Sequence, residues 1–114
     1  SSWQYYKSVE LADSLITAIV QAIEEAGLAD STIVLVTADH GGKDKSHGGP
    51  TMEEIEIPWI ISGPGVAKGR EIKTPVNTYD TALTVAHIFA LKTPSSWIGK
   101  PVLEAFESAP GKAQ

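Results

Sequence analysis

The 114-residue sequence contains no cysteine, and this absence excludes several classes of small protein. Without a thiol the chain cannot be a disulfide-stapled miniprotein, a cysteine zinc finger or an iron–sulfur protein. Long apolar runs are also missing, since none approaches the ~20 residues that span a membrane. The sequence therefore predicts no membrane span, and the lack of cysteine is compatible with a reducing or an oxidising compartment.

Basic residues are few. Nine Lys and Arg stand against 14 Asp and Glu, and the net charge is −5. Binding to a nucleic-acid polymer requires clustered basic side chains, whereas these are scattered, so no such partner is expected. The hydrophobic content of 42% is too high for a disordered tail. Residues 1–114 are thus expected to form a single domain of modest core, or a fragment of a larger one.

The first half of the chain combines a helical pattern with a strand pattern. Apolar residues recur every three or four positions from Ser8 to Ala26, which predicts a helix preceded by an irregular segment at 1–7. Gly27 is expected to end this helix in a left-handed conformation. Residues 32–37 form a continuous apolar, β-branched run, which is typical of a strand buried on both faces in a parallel sheet.

The second half adds one strand and one helix. Residues 56–62 predict the strand, and Asn77 is expected to cap a helix that runs to about Leu91, with Asp80 three residues after the cap. The remainder, 92–114, is rich in Pro, Ser and Gly and is expected to be largely irregular. The order helix, strand, loop, strand, helix favours an α/β fold. Because two strands make a poor sheet, further strands are expected to complete it.

A glycine-rich loop at 38–50 carries the candidate functional residues Asp39, His40 and His47. In open α/β sheets, ligands bind outside the carboxyl ends of strands, where Asp39 and His40 are expected to lie. A carboxylate and two imidazoles form a ligand set that suits zinc or manganese. The alternative is a turn that contains a hydrogen-bonded Asp–His pair. The strand before the loop and the second histidine within it favour a metal site.

The string Thr37-Ala38-Asp39-His40-Gly41 after an apolar strand resembles the metal motif of the alkaline-phosphatase superfamily. The resemblance is closest to the type I phosphodiesterase/nucleotide pyrophosphatase branch, with phosphopentomutases, phosphoglycerate mutases and sulfatases as relatives. Other stretches resemble the same family in the expected order, namely 8–26, 56–66, 79–82 and 97–102. The likeness extends over about residues 5–106.

This resemblance implies an α/β fold, the C-terminal part of an alkaline-phosphatase-like three-layer sandwich with a mostly parallel sheet flanked by helices. It implies that Asp39 and His40 ligate the metal ion that also activates the nucleophile, and that His47 ligates a second ion. Zinc is the first expectation for the two divalent ions and manganese the second. Sulfatase chemistry is less favoured, because two imidazoles suit zinc better than the calcium of sulfatases. A phosphopentomutase-like mutase stays open.

The sequence lacks other parts of the family pattern. The nucleophilic Thr or Ser, an earlier Asp ligand and an Asp-x-x-x-His pair have no counterpart here. We therefore expect the C-terminal segment of a longer phosphodiesterase or pyrophosphatase that acts on a phosphate ester or nucleotide. Alone, the chain should be inactive and bind metal weakly or as a single ion. The alternative is a non-catalytic α/β module that forms homo-oligomers or binds a partner through an exposed sheet edge. The resemblance is compatible with a periplasmic or secreted location.

Overall fold

The computed structural model describes residues 2–107, so the expectations for Ser1 and for 108–114 lie outside the described residues. The chain divides into two compact units, Ser1–Pro64 and Gly65–Gln114. The described elements mix helix and strand, consistent with an α/β fold. In chain order they are helix α1 (Trp3–Glu25), strand β1 (Val34–Thr37), helix α2 (Met52–Ile55), strand β2 (Trp59–Ser62) and helix α3 (Asp80–Ile88), with single 3₁₀ turns at Ala29–Ser31 and Leu103–Ala105.

Helix α1 begins at Trp3, so the prediction of an irregular segment up to residue 7 is wrong. Ser2 has extended backbone angles, and its hydroxyl oxygen accepts a hydrogen bond from the Tyr5 N–H at 3.2 Å. This serine satisfies one of the free N–H groups of the first turn and allows the helix to start before its apolar stripe. No helix of the described residues combines the length and apolar character needed to cross a membrane.

The C-terminal end of α1 confirms the role expected of Gly27. Its φ of 70° is left-handed, and its N–H donates to the Glu24 carbonyl at 3.0 Å. The Leu28 N–H donates to the Ile23 carbonyl, also at 3.0 Å. This pair of bonds is a Schellman motif, which satisfies carbonyls that the ending helix leaves free. The apolar stripe is covered only in part, because α1 contains no buried residue and Ile16, Val20 and Ile23 are half-buried.

Strands β1 and β2 pair antiparallel, with Val34 opposite Ser62 and Thr37 opposite Trp59. This differs from the mostly parallel sheet that was expected, and the described residues contain a two-stranded sheet. A parallel pair would need a crossover to the far end of β1. Here the connection stays at the carboxyl end of β1, since the Gly41 N–H donates to the Glu54 carbonyl in α2. The chain consequently runs back along β1.

Burial in the sheet is also lighter than expected for a strand covered on both faces. Val34, Leu35 and Val36 are only half-buried. In β2 half-buried and exposed residues alternate, and Ile60 is exposed. That alternation is the pattern of a strand with one covered face. The two described strands therefore represent only part of the expected three-layer sandwich.

Helix α3 of the second unit begins at Asp80, later than the expected cap at Asn77. The relation between these two residues is nevertheless present, because an Asp80 carboxylate oxygen accepts from the Asn77 N–H at 2.8 Å. The other oxygen accepts from the Lys100 N–H at 3.0 Å. Asp80 is almost fully buried. Its carboxylate thus ties the start of α3 to a distant loop. The helix ends at Ile88, short of Leu91, and is followed by Ala90 in a left-handed conformation with φ 52°.

The core of the second unit is small and contains a central hydroxyl group. Its buried apolar side chains are Val66, Ala86, Val102 and Ala105. Thr84 lies among the buried residues with 0% exposure. Its hydroxyl donates to the Asp80 carbonyl at 2.8 Å and accepts from the Val102 N–H at 3.0 Å. A buried N–H without a partner is costly, so this hydroxyl is needed where a methyl group would fit equally well.

We expect Thr84→Val to destabilise the protein by about 1–3 kcal/mol, because the isosteric valine leaves the Val102 N–H buried without an acceptor. Urea denaturation followed by circular dichroism measures this difference. Thr84→Ser is the matched control, since it keeps the hydroxyl and should lose less stability. A valine variant as stable as the serine variant would show that the hydroxyl bond to Val102 contributes nothing.

A second carboxylate, that of Glu104, organises the segment before α3. It accepts hydrogen bonds from the Lys73 N–H at 2.8 Å, the Thr74 N–H at 3.2 Å and the Thr74 hydroxyl at 2.9 Å. These bonds, first among them the one from Lys73, hold the pKa of Glu104 below its ordinary value, and the charge of Arg70 acts in the same direction. The ionised carboxylate is therefore bound more strongly in the folded state than in the unfolded chain.

We expect Glu104→Gln to lower the urea midpoint at neutral pH and to have little effect in acid. Because the folded-state pKa is depressed, the stabilisation exists above the unfolded value of about 4.3 and is lost as pH falls through the folded value. Unfolding of both proteins is measured across this range, with Glu107→Gln, at an exposed glutamate, as the control. A difference between wild type and Glu104→Gln that stays constant with pH would contradict the assignment.

Candidate metal centre

The loop that follows β1 places Asp39 and His40 at the carboxyl end of the strand. The His40 N–H donates to an Asp39 carboxylate oxygen at 3.0 Å, a local turn that brings the two side chains to the same side. Both remain accessible, with the Asp39 side chain 88% exposed and the His40 side chain 44% exposed. Neither group is buried, so both can bind a ligand that approaches from solvent.

The contacts of the His40 ring determine which nitrogen carries the proton. Nδ1 lies 2.7 Å from the Gly41 carbonyl oxygen, and a carbonyl can only accept, so Nδ1 is the donor. Nε2 lies 3.5 Å from Asp39 Oδ2. In the neutral ring, Nε2 presents a lone pair towards a carboxylate, which is unfavourable unless a cation lies between them. The arrangement therefore suits either a second proton on the ring or a metal ion bound by both groups.

The spacing between these two atoms fits a shared metal ion. Zinc ligands lie at about 2.0–2.2 Å from the ion, which at tetrahedral angles separates them by roughly 3.3–3.5 Å. The observed distance from His40 Nε2 to Asp39 Oδ2 is 3.5 Å. The Nδ1–carbonyl bond is the outer contact that orients metal-binding histidines. On donor chemistry and spacing, Asp39 and His40 fit a divalent cation.

His47 lies beside His40 although six residues separate them in the sequence. The ring centroids are 4.3 Å apart and the planes differ by 22°, so the rings are stacked. Ring lone pairs lie in the ring plane, so those of two stacked, near-parallel rings do not meet at one point. The structure thus brings the three predicted residues together as a pair and a stacked neighbour. Within residues 2–107 no three His, Asp or Glu side chains form a group that could hold an ion.

Helix α2, which the sequence analysis missed, holds the two arms of this loop, one that continues from His40 through Gly42 and one that continues from His47 through Gly49. Its carbonyls at Glu53 and Glu54 accept from the N–H groups of Gly42 and Gly41, both at 2.8 Å. Between the two arms the loop forms a narrow hairpin, in which Lys43 and Ser46 exchange backbone hydrogen bonds of 3.0 and 2.9 Å. Charged residues lie at the exposed tip of this hairpin.

Glu54 is the buried residue of this region, with 8% exposure. One carboxylate oxygen accepts from the Gly49 N–H at 3.1 Å and the other from the Thr51 hydroxyl at 2.7 Å. The Thr51 hydroxyl bond, together with the N–H donors of Gly49 and Thr51, lowers the pKa of Glu54 despite its burial. The signal in the sequence is Thr51-x-x-Glu54, the spacing of a helix capping box.

Comparisons with known proteins identify the family. The sequence model of the sulfatase family matches residues 3–91. Arylsulfatase K of Xenopus laevis is 29% identical over 113 residues, which cover 95% of this chain and 21% of that protein. Arylsulfatase K of Danio rerio is 33% identical over 86 residues, 71% of this chain and 16% of its own. An extracellular sulfatase SULF-1 homolog of Drosophila melanogaster is 24% identical over 103 residues, 85% of this chain and 9% of its own.

The chain belongs to the sulfatase family. This confirms the expected alkaline-phosphatase superfamily, of which sulfatases are members. The comparisons do not support the phosphodiesterase/nucleotide pyrophosphatase branch. The chain spans about a fifth, or less, of the length of these curated relatives. No solved structure gives a significant match.

We expect Gly41→Ala to displace the arm that carries His40. A Cβ at this position would meet the backbone carbonyl oxygens of Glu53 and, at 2.9 Å, Glu56, and backbone atoms cannot move aside cheaply. The substitution should lower the free energy of unfolding by about 1–3 kcal/mol, as at other overpacked sites. The measurement is urea unfolding together with the NMR shifts of the His40 ring.

Gly42→Ala is the matched control, because a Cβ there would lie 3.5 Å from the nearest atom, the Ser46 carbonyl oxygen. This variant should keep wild-type stability and His40 shifts. Equal effects of the two substitutions would contradict the close approach of Gly41 to α2.

Proposed function

We propose that this chain supplies part of the metal centre of a sulfatase-family hydrolase that cleaves sulfate esters. In this proposal Asp39, His40 and His47 ligate divalent cations. The observation that carries it is the His40 ring, whose Nδ1 is bound to the Gly41 carbonyl while Nε2 faces the Asp39 carboxylate at 3.5 Å. Two electron-rich atoms at that separation, both open to solvent, are suited to sharing a cation. The family match supports the ester-hydrolase assignment.

The stacked rings support two neighbouring ions rather than one. Asp39 and His40 fit one ion position, whereas the near-parallel ring of His47, 4.3 Å away, lies in a different plane and would serve a second position. Two such ions, if bound by these residues, would neutralise the oxygens of a tetrahedral ester and would lower the pKa of a nucleophile bound to them. Imidazole ligands favour zinc, with manganese as the alternative. The remaining ligands and the nucleophile would come from other parts of a longer protein, so we propose that this chain alone is inactive.

Phosphate ester or nucleotide hydrolysis is the second candidate. The specific observation in its favour is the proximity of two imidazoles, since calcium prefers oxygen ligands and zinc accepts nitrogen. Sulfate and phosphate esters present similar tetrahedral oxygens to a metal centre, so the substrate must be decided by experiment. An extracellular or periplasmic location is part of the proposal, supported by the name of the extracellular Drosophila relative. Association through the edges of the two-stranded sheet stays a prediction.

The test of function uses the longer protein that contains this segment. Hydrolysis of an aryl sulfate, a phosphate diester and a nucleotide pyrophosphate is assayed in the presence of zinc, manganese or calcium. We expect aryl sulfate to be cleaved, and Asp39→Asn and His40→Ala each to lower kcat/KM by more than about 100-fold, above the usual effect of outer-shell changes. Asp44→Asn is the control, since Asp44 lies at the exposed hairpin tip with φ 55°, which asparagine tolerates.

Each outcome of this test discriminates between the candidates. Cleavage of the phosphate diester or pyrophosphate without cleavage of aryl sulfate would favour the second candidate. Wild-type activity in Asp39→Asn and His40→Ala would contradict the metal centre itself. Isothermal titration of zinc into the 114-residue chain tests the partial site, which should bind weakly and lose binding in both variants.

A further inference from the structure

Two segments of the chain must be held together for the proposed centre to exist. One arm carries His40 and continues through Gly41 and Gly42, and the other carries His47 and continues through Gly48 and Gly49. The rings at the two positions stack at 4.3 Å, yet both lie in an exposed loop that contains no buried apolar side chain. Hydrophobic packing therefore does not explain the spacing. The Lys43–Ser46 backbone bonds join the two arms at the hairpin, and polar contacts to α2 hold them on either side of it.

Glu54 is the residue that contacts both arms. Its backbone carbonyl accepts from the Gly41 N–H at 2.8 Å, one residue after His40. Its carboxylate accepts from the Gly49 N–H at 3.1 Å, two residues after His47. The Thr51 hydroxyl, at 2.7 Å from the second carboxylate oxygen, fixes the orientation of the side chain. One residue thus bridges the two histidine-bearing arms, through its main chain on one side and its side chain on the other.

We infer that Glu54 is a positioning residue that sets the distance between His40 and His47, and so the spacing of the proposed metal ligands. The part about metal spacing depends on the function proposed above, whereas the effect on the two rings does not. Burial supports the inference, since a carboxylate with 8% exposure needs hydrogen-bond donors, and its described donors are the Gly49 N–H of the loop together with the hydroxyl and N–H of Thr51 at the start of α2. Charge assistance makes such bonds stronger than bonds to a neutral acceptor.

The neighbouring glycine is consistent with this role. A Cβ on Gly49 would meet both oxygens of the Glu54 carboxylate, so the close approach of loop and carboxylate requires glycine at this position. Glu53 offers a natural comparison. It lies in the same helix, its side chain is exposed, and it contacts the loop through its backbone carbonyl, which a side-chain substitution leaves in place.

The experiment measures nuclear Overhauser contacts between the two imidazole rings in the 114-residue chain, together with zinc affinity by titration. We expect Glu54→Ala to abolish the ring–ring contacts and to weaken zinc binding by about 10–100-fold, the usual range for outer-shell partners. Glu53→Ala should retain both. Glu54→Gln should restore the contacts, because its amide oxygen can accept from Gly49 and the Thr51 hydroxyl can reverse to accept from the amide N–H.

The outcomes separate this inference from the proposed function. Loss of the ring contacts in Glu54→Ala supports positioning by Glu54, whether or not zinc binds. Absence of zinc binding by the wild-type chain contradicts the metal centre and leaves this inference standing. Wild-type ring contacts in a folded Glu54→Ala protein overturn the inference, as does loss of the contacts in folded Glu54→Gln. Should Glu54→Ala fail to fold, Gly49→Ala displaces the carboxylate while keeping its Thr51 partner. Retained contacts in that variant overturn the inference, and their loss supports it.

Discussion

The hydrogen bonds between the glycine arm after His40 and the carbonyls of α2 are the constraint on which the first unit depends. The N–H groups of Gly41 and Gly42 can reach those carbonyls only if the chain turns back at the carboxyl end of β1. That reversal makes β2 run antiparallel to β1. It also places a hairpin beyond the strand end, so that His40 and His47 meet there. Strand direction and histidine proximity thus share one cause.

The local order of the site does not make it a complete metal centre. Asp39 and His40 are arranged as two ligands of one metal ion would be, and the His47 ring stacks on that of His40. Within residues 2–107, however, no three ligand side chains group around a common ion position. The chain spans about a fifth, or less, of its curated relatives, which leaves ample sequence in those proteins for further ligands. The largely exposed apolar stripe of α1 is consistent with this. A helix face of that kind normally packs against other elements.

What the sequence predicted was governed by local chemistry. The end of α1 at Gly27 was predictable because a left-handed residue satisfies the last carbonyls wherever the helix stops. Strand β1 was predictable from its apolar, β-branched run. The proximity of Asp39, His40 and His47 was predictable because all three lie in the short loop that follows this strand. The direction of β2 was not predictable, since it depends on tertiary hydrogen bonds from Gly41. Helix α2 was missed because four residues are too few for a periodic pattern.

Hydrogen-bonded carboxylates, two of them buried and that of Glu104 half-buried, replace much of the missing core in the two units. The described apolar core consists of four small or medium side chains, too few to order the long irregular connections. Instead Glu54, Asp80 and Glu104 each accept N–H groups from segments that have no regular structure. A carboxylate satisfies several backbone donors at once, which an apolar side chain cannot do. Carboxylates that accept backbone N–H groups therefore fix loops of the second unit, and in the first unit the carboxylate of Glu54 fixes the loop that carries the candidate ligands in the same way.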